Sequence, residues 1–135
     1  MSLYSIFDIA GSAMNAQNIR LNTTASNLAN ADSVSSTQET TYRSRQPIFA
    51  QMMRDFGDKN NGVQVLGVVE SNAPLRSEYN PNHAMANKDG YIFRPNVNVI
   101  DEMANMISAS RAYQTNVEVL NTAKQMMMRT LSIGQ

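Results

Sequence analysis

Residues 99–133 read VIDEMANMISASRAYQTNVEVLNTAKQMMMRTLSI, and the spacing within this stretch decides the architecture. Steps of four and three residues lead from Val99 through Met103, Met106, Ser110, Tyr113, Val117, Leu120, Lys124 and Met127 to Leu131. Eight of these ten positions are apolar or aromatic, the exceptions being Ser110 and Lys124. Such a repeat, held over four heptads, predicts one long helix with a coiled-coil-like seam. Just upstream, Pro95 fixes the approach of the chain and Asn98 is placed to cap the helix. Asp101 and Glu102 fall in the first turn, where the helix dipole favours carboxylates, and Gly134 is a stop signal. The methionines at 103, 106, 126, 127 and 128 either fill a core or form an adaptable interface.

The first thirty residues predict a second amphipathic helix. At 100° per residue, Leu3, Ile6, Phe7, Ala10, Ala13, Met14, Leu21, Ala25 and Leu28 share one side, and Asp8, Ser12, Asn15, Asn22 and Ser26 the other. Gln17 intrudes on the apolar side and Ile19 on the polar one. Ser5 followed by Asp8 resembles a capping box, and Gly11 is a mild helix penalty. Asn27 and Asn30 are candidates for hydrogen bonds between subunits or at the helix end, with a C-cap role equally open to Asn30.

Between the helices the pattern changes. Residues 31–46 (ADSVSSTQETTYRSRQ) are rich in Ser and Thr without a helical period and read as an extended or loosely ordered linker. Pro47–Met53 reads as a strand, Gly57–Gly62 as a turn cluster, and VQVLGVVE from Val63 as a β-rich run. Residues 71–90 read as loop and Tyr91–Phe93 as a short strand. The fold class expected is mainly α with a small β insert. The long N- and C-terminal helices pair as an antiparallel coiled-coil-like rod, and the middle segment is β-hairpin-like. The chain divides into 1–32 and 96–135, forming an α-helical core domain, and 33–95, the linker and insert.

Composition narrows the function. The 135 residues hold 11 basic and 11 acidic side chains, for zero net charge, while Asn, Gln, Ser and Thr make up a third of the chain. The signs balance segment by segment: one of each in residues 1–30, seven of each in 31–95, three of each in 96–135. Without a basic face there is no basis for nucleic-acid binding or a polybasic membrane anchor, and near-zero charge favours self-association. No run is apolar and long enough for direct membrane insertion, and the N-terminus lacks the pattern of a cleavable signal peptide. The two helices would be roughly 40 Å and 50 Å long, too long for a compact globule of this size with a radius of about 14 Å. They need copies or partners to bury their stripes.

Candidate chemistry is sparse. The chain has no cysteine and one histidine, His83, in a loop without convergent ligands. Asn87-Lys88-Asp89-Gly90 resembles part of a calcium loop, but Met85 and Asn96 stand where ligands are required, so a turn before the strand is the better reading. Asn22-Thr23-Thr24 is a glycosylation triplet of a kind common by chance. No P-loop, dinucleotide fingerprint, nucleophile elbow or zinc-helix motif is present. The reading is therefore a protein without enzymatic activity, catalytic residues, metal or cofactor. One class of function left open is a soluble helical adaptor or chaperone whose Met-rich groove binds one partner helix.

Two segments carry a resemblance. Ala25-Ser26-Asn27-Leu28-Ala29-Asn30-Ala31-Asp32-Ser33 resembles the A-x-N-L-A-N-x-x-T signature of the flagellar axial proteins (rod, hook and hook-associated proteins), with Ser33 where Thr is usual. Pro95–Val99, Met106–Lys124 and the Leu131–Gln135 ending resemble the C-terminal helix of rod members of that family, and Asp89-Gly90-Tyr91 fits as well. The resemblance implies a structural subunit of the proximal rod of the bacterial flagellar basal body. Such a subunit is exported without a cleaved signal peptide through the flagellar type III export apparatus. It polymerises through its terminal helices, with itself and other rod proteins, into the periplasmic drive shaft around the export channel. The side chains expected to carry assembly contacts are Ile6, Ala10, Ala13, Leu21, Asn27, Leu28 and Asn30 in the first helix. In the second they are Val99, Met103, Met106, Tyr113, Val117, Leu120, Met127 and Leu131.

Overall fold

The computed structural model describes residues 3–52 and 62–133. The element order is α1 (Leu3–Ala29), β1 (Arg45–Gln51), β2 (Val63–Glu70), β3 (Arg76–Tyr79), β4 (Tyr91–Arg94) and α2 (Val99–Ile133). Two long helices and two small antiparallel sheets make a mainly α chain with a small β insert.

α1 packs against α2, and both β1 and β2 also lie along α1. The Arg20 guanidinium donates to Asn105 Oδ1 at 2.8 Å and fixes the register of the helix pair. Four residues back along α1 and four forward along α2 stand Ala16 and Ala109, both buried. Ala10 and Ala123 are buried as well, and Met106, Tyr113, Val117, Leu120 and Met127 of α2 are half-buried. At 27 and 35 residues, the helices span about 40 Å and about 52 Å at 1.5 Å per residue. The observed seam differs from the one the heptad count suggested. Val99, Met103 and Leu131 are exposed, while Glu102, Ala109 and Ala123, one position off that count, are buried.

The cap of α2 is as the sequence suggests. Asn98 Oδ1 accepts from the Ile100 amide at 3.1 Å, and its Nδ2 donates to Asp101 at 2.7 Å. The capping box at Ser5 is corrected: α1 already runs from Leu3, and Ser5 is a buried residue inside it. At the other end, Asn30 Nδ2 donates to the Ser26 carbonyl at 2.8 Å. Among the described residues no non-glycine residue has positive φ, so this helix end is closed by a side chain and not by a left-handed turn.

β1 and β2 form an antiparallel pair from Arg45↔Glu70 to Gln51↔Val63, with a bulge between Ile48 and Phe49. The expected strand at Pro47–Met53 thus begins two residues earlier; Met53 and the turn residues 57–61 lie outside the described residues. The loop reading of 71–90 is corrected. β3 forms within it and pairs with β4 from Arg76↔Arg94 to Tyr79↔Tyr91. All four β3 residues are exposed, so the strand carries no alternation to detect. The linker reading of 31–46 changes too. Ser35 makes an isolated bridge to Phe93, through amide bonds of 3.0 and 2.9 Å, and Thr41 Oγ1 donates to the Thr37 carbonyl at 2.6 Å. Serines and threonines hold this stretch by bonding their own backbone, an order that hydropathy does not display.

Candidate assembly surface

Polar side chains tie one end of the helix pair to the β insert, and Asn27 is their centre. It is 1% exposed, and its amide meets the Arg45 backbone as a strand would. Oδ1 accepts from the Arg45 amide at 2.9 Å while Nδ2 donates to the Arg45 carbonyl at 2.8 Å. The Tyr42 hydroxyl donates to the same Oδ1 at 2.9 Å. Burial raises the Tyr42 pKa above its ordinary value; the nearby Arg45 opposes this, and Glu102 and Glu70 add to it. Asn96 does similar work before α2. Its Oδ1 accepts from the Ser44 amide at 2.8 Å and its Nδ2 donates to the Ala73 carbonyl at 2.9 Å. Arg76 adds a bond to the Val97 carbonyl at 3.0 Å. The buried apolar residues of this end are Ile92, fully enclosed, and Val97, Pro95 and Ala31.

The turn at 87–91 shows why the calcium reading fails. Asn87 Oδ1 accepts from the Asp89 and Tyr91 amides, both at 2.9 Å, which commits it to an Asx turn. Gly90 has φ 81°, and a Cβ there would lie 2.8 Å from the Tyr79 ring, so only glycine fits. His83 Nδ1 accepts from the Met85 amide at 3.1 Å within its own turn. Among the described residues no three His, Cys, Asp or Glu side chains gather where they could hold a metal. No described helix is long and apolar enough to cross a membrane.

The open end contrasts with this. Val63 donates its amide to Ser12 Oγ at 3.1 Å, anchoring the start of β2 on α1. The side-chain bonds of Thr115, Asn116, Thr130 and Ser132 return to the α2 backbone. By the Arg20–Asn105 register, α2 continues past Leu3, and there Met126, Met128 and Leu131 are exposed, Leu131 at 72%. The opposite half of α2 exposes Val99, Ile100, Met103 and Ile107, with Ile100 at 77%.

The residues expected to carry assembly contacts fall into three groups. Val99, Met103 and Leu131 are exposed; Ile6, Ala13, Leu21, Leu28, Asn30, Met106, Tyr113, Val117, Leu120 and Met127 are half-buried; Ala10 and Asn27 are buried. Asn27 directs its amide to Arg45 and Tyr42 of the same chain. Met126 and Met128, of the methionines read above as core or adaptable interface, are exposed, and so are Ile100, Ile107 and Val119, which the heptad spacing leaves out. Ile100, Met103 and Ile107 form their own 3-4 spacing, offset from the one counted above, and that was the available signal.

A buried polar clamp joined to a helix pair with uncovered apolar side chains is the arrangement of a protein that associates. Two family models match its two ends. The model described as "Flagella basal body rod protein" matches residues 7–35, and "Flagellar basal body rod FlgEFG protein C-terminal" matches residues 88–133. The chain belongs to the flagellar basal-body rod protein family. Within that family it is similar, over its full length and theirs, to the curated "Flagellar basal-body rod protein FlgC" of three bacteria. Identity is 52% for Salmonella typhimurium, 53% for Escherichia coli O157:H7 and 50% for Yersinia enterocolitica. Asn27 lies within the first matched segment, and Asn96 with the whole of α2 lies within the second.

Proposed function

We infer that the chain is a structural subunit of the rod of the bacterial flagellar basal body, and of its proximal part. The observation that carries this is the pairing of full-length kinship to rod proteins with a helix pair that leaves Ile100, Met103, Ile107, Met126, Met128 and Leu131 uncovered. In the rod the terminal helices pair in coiled-coil fashion and pack side by side around the export channel. Neighbouring subunits cover the apolar side chains, at about 25 cal/mol per Å² of apolar area removed from water. Heterologous contacts of this kind propagate along a helical assembly. The division into a terminal-helix core (1–32 and 96–135) and an insert (33–95) belongs to this reading. The insert packs on the outside, with Asn27 and Asn96 as its joints to the core.

The same reading has the chain leave the cytoplasm through the flagellar type III export apparatus, without a cleaved signal peptide. A pair of helices with much of its apolar surface uncovered is weak alone, because helices gain most of their stability from packing. That suits a chain that threads first and orders at the growing tip. The work of the molecule is mechanical and no enzyme activity is assigned to it. The adaptor reading predicts a monodisperse soluble protein and draws no support from the relatives, which carry rod names.

The test is isolation of hook–basal bodies with and without the gene, followed by imaging and protein detection. The chain belongs in the particle, and its loss removes the rod and the hook beyond it; a chain found only in the soluble pool refutes the reading. Replacing the half-buried Leu120 by Asp puts a charge among the packed helices. Stable expression without swimming is the expected outcome, and normal swimming counts against packing through the terminal helices.

A further inference from the structure

The exposed apolar side chains of α2 fall into two unlike features. The N-terminal half carries knobs: Ile100, Met103 and Ile107, large and exposed, at intervals of three and four residues. The C-terminal half carries a groove of about 340 Å³, bounded on the other side by Ile6 of α1. Its lining resolves into two successive diamonds on the helix surface. The first consists of Thr115, Glu118, Val119 and Thr122; the second of Val119, Thr122, Ala123 and Met126. A diamond of four residues is the hole that receives one knob in helix–helix packing, and small Thr and Ala corners leave room for a long side chain.

We propose that the knobs of one copy of this chain seat in the groove of a second copy, Met103 in the first diamond and Ile107 in the second. The proposal rests on the rod reading and specifies its contact. The knobs are spaced four residues apart and so are the two holes, so both seat together when neighbouring α2 helices run parallel. The offset is between fifteen and sixteen residues, about 23 Å along the axis. Three arguments make the occupant a second copy. Knobs and holes lie on different parts of one helix, so a seated copy still presents an empty groove and a free row of knobs, and the contact propagates. The knobs with Val99 expose on the order of 400 Å² of surface, about half of what each partner buries in a stable pairwise interface, so one contact alone does not hold a dimer and a repeating array is needed. The knob row and the groove present little formal charge beyond Glu118, so stacking identical copies does not accumulate repulsion there.

The chain has no cysteine, which makes disulfide trapping unambiguous. Full-length chains carrying Met103→Cys with Val119→Cys, or Ile107→Cys with Thr122→Cys, are produced in cells lacking the natural gene. Hook–basal bodies are then isolated, oxidised mildly and run on non-reducing gels. Detection of the chain in the particle tests the rod reading; the pattern of bands tests this contact. The expected result is a ladder of dimers and higher multimers from each double variant. Monomer alone is expected from each single variant and from the out-of-register pair Met103→Cys with Ser132→Cys. Monomer from both double variants, dimers from a single variant, or an equal ladder from the out-of-register pair each overturns the proposal. A dimer band whose mass shows a different rod protein as partner overturns the second-copy assignment. If one double variant fails to assemble, the other reports the same register. If neither assembles while the four single variants do, the two positions are not independent surfaces of one contact, and the proposal falls.

Discussion

The two ends of the helix pair are built on different principles. At the closed end, Asn27, Asn96 and Arg76 bind backbone across long stretches of sequence, Tyr42 binds the Asn27 side chain, and Ile92 and Pro95 are fully buried. At the open end, side-chain bonds are mostly local, and large apolar residues face outward. The closed end satisfies its polar groups within one chain; apolar surface is left for others at both ends, by Ile100, Met103 and Ile107 beside the clamp and by Met126, Met128 and Leu131 at the open end. The difference teaches where the chain carries its own stability and where it borrows it. A buried hydrogen-bonded amide is costly to disturb, because its partners are left unsatisfied. An exposed methionine is cheap to change in the free chain and costly only where a neighbour packs on it.

Substitutions can test this contrast, beginning with the most damaging. Asn27→Leu strips partners from the Arg45 amide and carbonyl and from the Tyr42 hydroxyl. It is expected to lower the stability of the free chain by about 3 kcal/mol, read from urea midpoints. Asn27→Leu with an unchanged midpoint breaks the closed-end account. Gly90→Ala forces a side chain into positive φ and toward the Tyr79 ring. About 2 kcal/mol is expected from thermal unfolding.

Tyr42 gives the contrast a pH dependence. Burial raises its pKa in the folded chain, so the neutral phenol that donates to Asn27 is favoured by folding. The stability from this group is complete below the unfolded value of about 10 and is lost as pH rises through the higher folded value. Stability should therefore fall above pH about 10, and Tyr42→Phe should flatten that part of the profile while costing about 1 kcal/mol at neutral pH. A profile equally steep in the variant would assign the alkaline loss to other groups. The smallest effect on the free chain belongs to Met128→Gln, an exposed open-end change expected to stay within about 0.5 kcal/mol. The same change should reduce rod assembly, measured as hook-bearing basal bodies per cell. A large loss of free-chain stability there would erase the distinction between the ends.

Much of this was legible in the sequence. The two helices, the Asn98 cap, the Val63–Glu70 strand and the turn before Tyr91 follow from period, capping residues and β-branched runs. The choice of seam did not follow, because Ala16, Ala109 and Ala123 win their places by closeness of approach, which hydropathy undervalues. β3 escaped notice because RSEY, exposed on every residue, is defined by its pairing with β4 and not by its own pattern. Asn27 stood out by its motif, but its direction did not; an amide that mimics a strand edge depends on Arg45, eighteen residues away. The outward knobs Ile100, Met103 and Ile107 form a second spacing in α2 that the longer heptad repeat beside it masks.

Hydrogen exchange, measured residue by residue on the free chain and on isolated basal bodies, tests the central claim most directly. The account predicts that in the free chain the amides of 27–45 and 91–102 are protected, while those of 119–133 exchange nearly as fast as unstructured peptide. In the basal body, both sets become protected. Equal and strong protection at both ends of the free chain, unchanged on assembly, would contradict it.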